Sequence, residues 1–242
     1  MNNHMKIIYI LITISSLIWA QIEIPKHNSK DQVIHHIGYT LLYNEAHEQP
    51  DWVAYELTAE EVAGSFKRKD RFRADPSIKT KSASLADYKG SGYDRGHLAP
   101  AADMKWSKEA MSESFFMSNM SPQKPGFNRG IWKKLESNVR KWAVENGSIY
   151  IVTGGVLKGR LQKIGLNEVS IPEYYYKVIL DYRRPEIKGI GFILKNQKSN
   201  DPISNFAVSI DKVEEVTGID FFHTLPDAIE NEIELKYDME IW

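Results

Sequence analysis

The sequence predicts a single α+β domain built on a central sheet flanked by helices. Three observations carry that expectation. Several short runs alternate apolar and polar residues and are rich in β-branched and aromatic side chains. One longer stretch repeats its apolar residues at helical spacing, and no linker-like, repetitive or low-complexity tract divides the chain. The 242 residues are 42% hydrophobic, which excludes a disordered chain and is enough for one long domain.

In chain order, residues 1–20 stand apart from that fold. Lys6 precedes a 13-residue apolar run from Ile7 to Trp19, broken only by Thr13, Ser15 and Ser16 and followed by Ala20. This reads as a secretory signal peptide, because the run is shorter than the roughly 20 residues that span a bilayer. The expectation is a secreted or periplasmic domain over 21–242, with no membrane segment in its mature form. A first strand is predicted over 51–57 (DWVAYEL), and Gly64 and residues 82–91 read as loops. A helix opens near Asn128 and carries Trp132, Leu135, Val139 and Trp142 at spacings of 3, 4 and 3 before Gly147 stops it. Both tryptophans are expected to anchor the core. Strands follow over 148–153, 174–180 and 189–194, with Gly154 and Gly155, Arg184 and Pro185, and Asp201 and Pro202 as turns. A strand-like stretch at 207–210 leads into a second helix over 211–216.

Composition removes several chemistries. With no cysteine there is no disulfide, thiol nucleophile or thiolate-held metal, so any metal must be bound by oxygen and nitrogen, which favours hard cations. The 31 basic and 32 acidic residues balance to a net charge of -1, but they are segregated. Residues 211–242 hold ten acids against Lys212 and Lys236, whereas residues 21–210 hold 28 basic and 22 acidic residues. Within that basic body, Lys67, Arg68, Lys69, Arg71 and Arg73 cluster with Phe66 and Phe72. Such a patch can neutralise phosphates, or it can simply be a solvated loop.

Chemistry-bearing residues concentrate in three neighbouring strings: YDRGHLAPAADM from Tyr93, FFMSNMSPQ from Phe115 and FNRGIWKKLE from Phe127. His97 can act as a general base near neutral pH, or it can form a structural pair with Asp94. Arg95 offers a planar fork to phosphate oxygens, and Gly96 lets its neighbours approach a ligand. Asn119 and Asn128 supply amide oxygens that a hard cation accepts, although Asn128 also stands where a helix N-cap belongs.

In this order and spacing, the strings resemble the DNA/RNA non-specific endonuclease family, whose members include secreted bacterial nucleases and mitochondrial endonuclease G. DWVAYELT from Asp51, IYIVTGGVL from Ile149 and VEEVTGIDFF from Val213 extend the resemblance over most of residues 21–242. It implies a mainly antiparallel sheet carrying a ββα-metal finger. It also implies His97 as general base, Asn128 as direct Mg²⁺ ligand, Arg95 and Arg140 near phosphate, Asn119 organising the site, and Glu136 at the metal's water shell. Mn²⁺ and Ca²⁺ stay open as alternative ions. Arg68 and Arg71 both lie where a further phosphate-contacting arginine is expected. The implied substrates are DNA and RNA, cut with little sequence preference to leave 5′-phosphate ends; a homodimer is left open. Two other readings stand beside it: a nuclease-like binding module without turnover, and a phosphodiesterase of restricted substrate whose cleft the acidic C-terminal part covers.

Overall fold

A computed structural model describes residues 21–80 and 82–242. The predicted signal peptide lies outside the described residues. The chain begins with β1 (Gln32–His35), β2 (Thr40–Asn44) and β3 (Gln49–Thr58), then two short helices, α1 (Ala59–Val62) and α2 (Leu85–Tyr88). Next come β4 (Asp94–His97), α3 (Lys108–Glu113), β5 (Met120–Gln123) and the long helix α4 (Lys133–Asn146). The second half contains β6 (Ser148–Gly155), β7 (Gln162–Ile164), β8 (Val169–Ile171), β9 (Tyr174–Asp181), β10 (Lys188–Lys195) and β11 (Ala207–Val208). It ends with α5 (Ile210–Thr217) and α6 (Asp227–Leu235). No described helix is long and apolar enough to cross a membrane.

The main sheet has seven strands in the order β1-β2-β3-β6-β9-β10-β11, and every pairing is antiparallel. Alternation along β3 shows why it is buried on both faces. Val53, Tyr55 and Leu57 join Leu135, Val139 and Trp142 of α4 in one core. Trp52 and Ala54 join Ile210 and Val213 of α5 and Ile233 of α6 in the other. Successive strand side chains point to opposite faces, so one segment serves both layers. The helix that will carry site residues therefore lies on the opposite side of the sheet from the acidic C-terminal helices.

The periodic elements stand as predicted. The α4 stripe is fully packed, with Trp132, Leu135 and Val139 at 0% exposure, and Gly147 ends the helix at φ 77°. Four expectations change. Gly154 and Gly155 continue β6 rather than turning; a Cβ on Gly154 would sit 2.5 Å from the Asp51 carbonyl, so the residue is small for close packing. The 82–91 stretch contains the helical turn α2, whose Asp87 carboxylate closes a capping box on Ser84. Only Ala207 and Val208 pair as a strand, because Ser209 caps α5 by accepting from the Lys212 amide. Lastly, Asn128 is not an N-cap: it lies inside a wide irregular turn, Phe127–Trp132, that precedes α4.

The α4 stripe gives a direct test of how this layer is held. Leu135→Ala is expected to lower stability by about 2–5 kcal/mol, seen as a reduced urea midpoint at unchanged m-value.

Candidate active site

Strand β4 pairs antiparallel with β5, placing Asp94 opposite Gln123, Gly96 opposite Ser121 and His97 opposite Met120. The Gln123 side chain fills the space beside Gly96: an added Cβ would lie 2.2 Å from it and would have to displace it. Just beyond the strand, the Leu98 amide donates to the Asn119 carbonyl at 3.0 Å. The Asn119 side chain then clamps the same loop. It accepts from the Ala99 amide and donates to the Ala99 and Ser114 carbonyls, each at 2.9 Å, with no exposure. Asn119 thus holds the chain two residues after His97 and does not line the cleft.

After β5 the chain enters the wide turn, where the amides of Phe127 and Asn128 both donate to the Lys124 carbonyl at 2.9 Å. Gly130 breaks the helical geometry at φ −106°, ψ −109° before α4 begins. The break presents Asn128 and Arg129 to Asp94. Asn128 donates through Nδ2 at 2.9 Å, and Arg129 grips the carboxylate with Nε at 2.8 Å and a terminal nitrogen at 2.6 Å. Burial alone would raise the Asp94 carboxyl, but these donors hold it below its ordinary range. Fixing Nδ2 leaves the Asn128 Oδ1 accepting no hydrogen bond among the described residues. The alternative reading, a structural His97–Asp94 pair, does not hold; Asp94 serves the turn instead.

Helix α4 then contributes Lys133, Glu136 and Arg140, spaced 3 and 4 apart on one face. Together with β4 and the 68–72 segment they border a cleft of about 560 Å³. Five cations (Arg68, Arg95, Arg129, Lys133, Arg140) outnumber the carboxylates of Asp70, Asp94 and Glu136 on its walls. This local positive field suits a polyanion despite the net charge of -1 for the whole chain. The geometry also separates the two upstream arginines: Arg68 lines this cleft, whereas Arg71 lines a neighbouring pocket. None of residues 211–242 borders the cleft, which removes the support for a substrate restricted by an acidic cover.

Arg140 is held by Asp103, whose carboxylate accepts from Arg140 at 2.7 Å and from the Tyr55 hydroxyl at 2.8 Å. Arg95 stacks on Phe72, its guanidinium carbon 4.3 Å from the ring centroid. His97 sits edge-on to Phe115 at 4.9 Å between centroids. Its Nε2 is closed off from solvent and has no hydrogen-bond partner among the described residues, so Nδ1 is the nitrogen left to face the cleft. Burial, then the charges of Arg68 and Arg95, lower the His97 pKa to about 3, while Asp70 opposes them. The direction favours the neutral ring, whose lone pair is then free. Under the same wall lies Lys177, fully buried, its Nζ 5.0 Å from the Trp132 ring and without a hydrogen-bond partner among the described residues. Burial lowers its pKa and raises that of Glu136, while the two charges act on each other in the opposite sense.

A family model described as DNA/RNA non-specific endonuclease matches residues 21–228. The chain belongs to the DNA/RNA non-specific endonuclease family. Nuclease C1 of Cunninghamella echinulata var. echinulata is 36% identical to it over 205 residues, covering 78% of this chain and 81% of that protein. Mitochondrial nuclease EXOG of Danio rerio is 34% identical over 205 residues, and this chain spans 60% of its length. A crystal structure of an EndoG/EndoGI complex, described as showing the mechanism of EndoG inhibition, superposes with TM-score 0.77 at 35% identity, covering 81% of this chain and 87% of that one.

In this member of the endonuclease family, the cleft's donors suit a hard dication. Asn128 offers a neutral carbonyl oxygen and Glu136 a carboxylate, while Asp94 is already committed to Arg129. A separate carboxylate group, Asp211, Glu214 and Glu234, lies among the C-terminal helices on the opposite side of the sheet. Sequence reasoning missed Arg129, Lys133, Asp103, Phe72 and Lys177 as neighbours of the site. Asp103, Arg129 and Lys133 stood inside the motif strings, but nothing in the strings signals that Asp103 holds Arg140.

The buried imidazole has a pH consequence. Between pH 6.5 and about 3 the unfolded chain protonates His97 and the native chain does not. The stabilisation this difference represents is full above pH 6.5 and is lost as pH falls. In metal-free protein, a histidine NMR titration should find the His97 ring still neutral at pH 5; a midpoint near 6.5 would contradict the site as described.

Proposed function

We propose that this chain is an exported, metal-dependent endonuclease that hydrolyses phosphodiester bonds of DNA and RNA with little sequence preference and leaves 5′-phosphate ends. The observation that carries this reading is the convergence of His97 and Asn128 on one cationic cleft. Export rests on the sequence of residues 1–20 and places the mature protein in the periplasm or outside the cell.

In the proposed reaction the Arg68, Arg95 and Arg140 guanidiniums bind the phosphate backbone, which carries no base identity, so sequence preference is weak. His97 Nδ1 takes a proton from a water molecule placed behind phosphorus. The new P–O bond forms as the bond to the 3′ oxygen breaks, and the arginines offset the charge that grows on the phosphoryl oxygens. The departing 3′ oxygen takes a proton from solvent. Asn119 keeps the loop after His97 in place, and Asp103 aims Arg140. Asn128 Oδ1 and the Glu136 carboxylate would hold Mg²⁺, or Mn²⁺ or Ca²⁺ in its stead, and the ion would supply Lewis-acid polarisation of the phosphate. A neutral amide ligand leaves most of the cation's charge for that purpose.

The test is relaxation and linearisation of closed circular plasmid by residues 21–242 with Mg²⁺, against an EDTA control. His97→Ala should lose about 10²–10⁴-fold in rate at an unchanged unfolding midpoint. Asn128→Ala should lose activity and require more Mg²⁺. Near wild-type cutting by the His97 variant would overturn the base assignment. An unchanged Mg²⁺ titration would remove Asn128 as the ligand.

A further inference from the structure

Residues 67–72 form a thin wall between two depressions, and their side chains are divided in alternation between its two sides. Arg68, Asp70 and Phe72 face the catalytic cleft; Lys67, Lys69 and Arg71 face a second pocket of about 310 Å³. Lys108 of α3 closes the cationic rim of that pocket, and Phe66 and Met111 supply an apolar surface inside it. Met111 also packs with Phe72 and Phe115, so the two depressions share one supporting core. Among the described residues, none of Lys67, Lys69, Arg71 and Lys108 forms an ion pair, although Arg68 on the other side is paired with Asp70 at 2.6 Å. Phe66 is 46% exposed, so its ring is open to a ligand that enters this pocket.

An exposed aromatic set within a ring of unpaired cations is the arrangement that holds single-stranded nucleic acid, with a base stacked on the ring and its flanking phosphates on the rim. We propose that this pocket is an accessory site for an unpaired segment of the same polynucleotide whose phosphodiester lies in the cleft. This rests on the proposed function for its substrate, but adds a site and a preference that the catalytic residues do not contain. Paired bases cannot reach Phe66, so the pocket favours substrates with single-stranded stretches over continuous duplex. Longer strands, which engage both sides of the wall, bind better than fragments that fill the cleft alone.

The experiment measures binding by fluorescence anisotropy in the His97→Ala background, using a labelled single-stranded 30-mer and the matching duplex. Replacing Lys67, Lys69 and Lys108 together by Gln should weaken single-strand binding more than tenfold. The same change should flatten the slope of log affinity against log salt by about 0.7 for every phosphate that the variant no longer neutralises. A control that removes Lys158, Lys163 and Lys236 instead should leave both unchanged. Phe66→Ala should weaken the single strand several-fold and spare the duplex. Unchanged affinity and salt slope in the triple variant would overturn the proposal, as would a Phe66→Ala loss equal on both substrates. If the wild-type chain cuts no nucleic acid yet shows these losses, the proposed function fails and the accessory site stands.

Discussion

Four backbone pairs between β4 and β5 are the constraint on which the site depends. They set His97 at the end of one strand, and they carry the chain from the other strand directly into the turn that bears Asn128. The pairing is short, so it is locked by side chains rather than by its own length. Gly96 admits Gln123, Asn119 ties down the loop beyond His97, and Asp94 reaches forward to grip Asn128 and Arg129. One carboxylate at the start of β4 thereby positions the amide from the following turn. A shift of one residue in this register would turn each of Asp94 and His97 away from the face it now occupies.

Electrostatics follow from layering. The sheet separates the long helix α4, with its cleft-facing basic residues, from the acidic helices α5 and α6. A chain with a net charge of -1 can therefore offer a polyanion a locally cationic surface. Within that surface His97 is insulated by Phe72 and Phe115, and the adjacent arginines disfavour its charged form. The arginines proposed to bind phosphate thus also favour the neutral imidazole.

Much of this was legible in the sequence because it rests on periodicity and local strings. The Leu135 and Val139 stripe and the alternation of 51–57 report burial directly, and both elements form as read. The strings hold Arg95, His97, Asn128 and Glu136, which border one cleft, whereas Asn119 supports it from behind and Arg68 and Arg140 reach it from outside the strings. What was hidden depends on distant parts of the chain. An N-cap reading for Asn128 follows from its neighbours in sequence, but Asp94, 34 residues earlier, draws it into a wide turn. Arg68 and Arg71 are indistinguishable by composition and are separated only by which side of the 67–72 wall each occupies. Asp103 carries no local signal for its role, because its partners Tyr55 and Arg140 come from β3 and α4.

The claim that β4, β5 and the turn together build one cation site is tested most directly by anomalous diffraction from crystals of residues 21–242 grown with Mn²⁺. A peak in the cleft within bonding distance of Asn128 Oδ1, on the Glu136 side, is the predicted result. Manganese bound only among Asp211, Glu214 and Glu234, with none near Asn128, would contradict it.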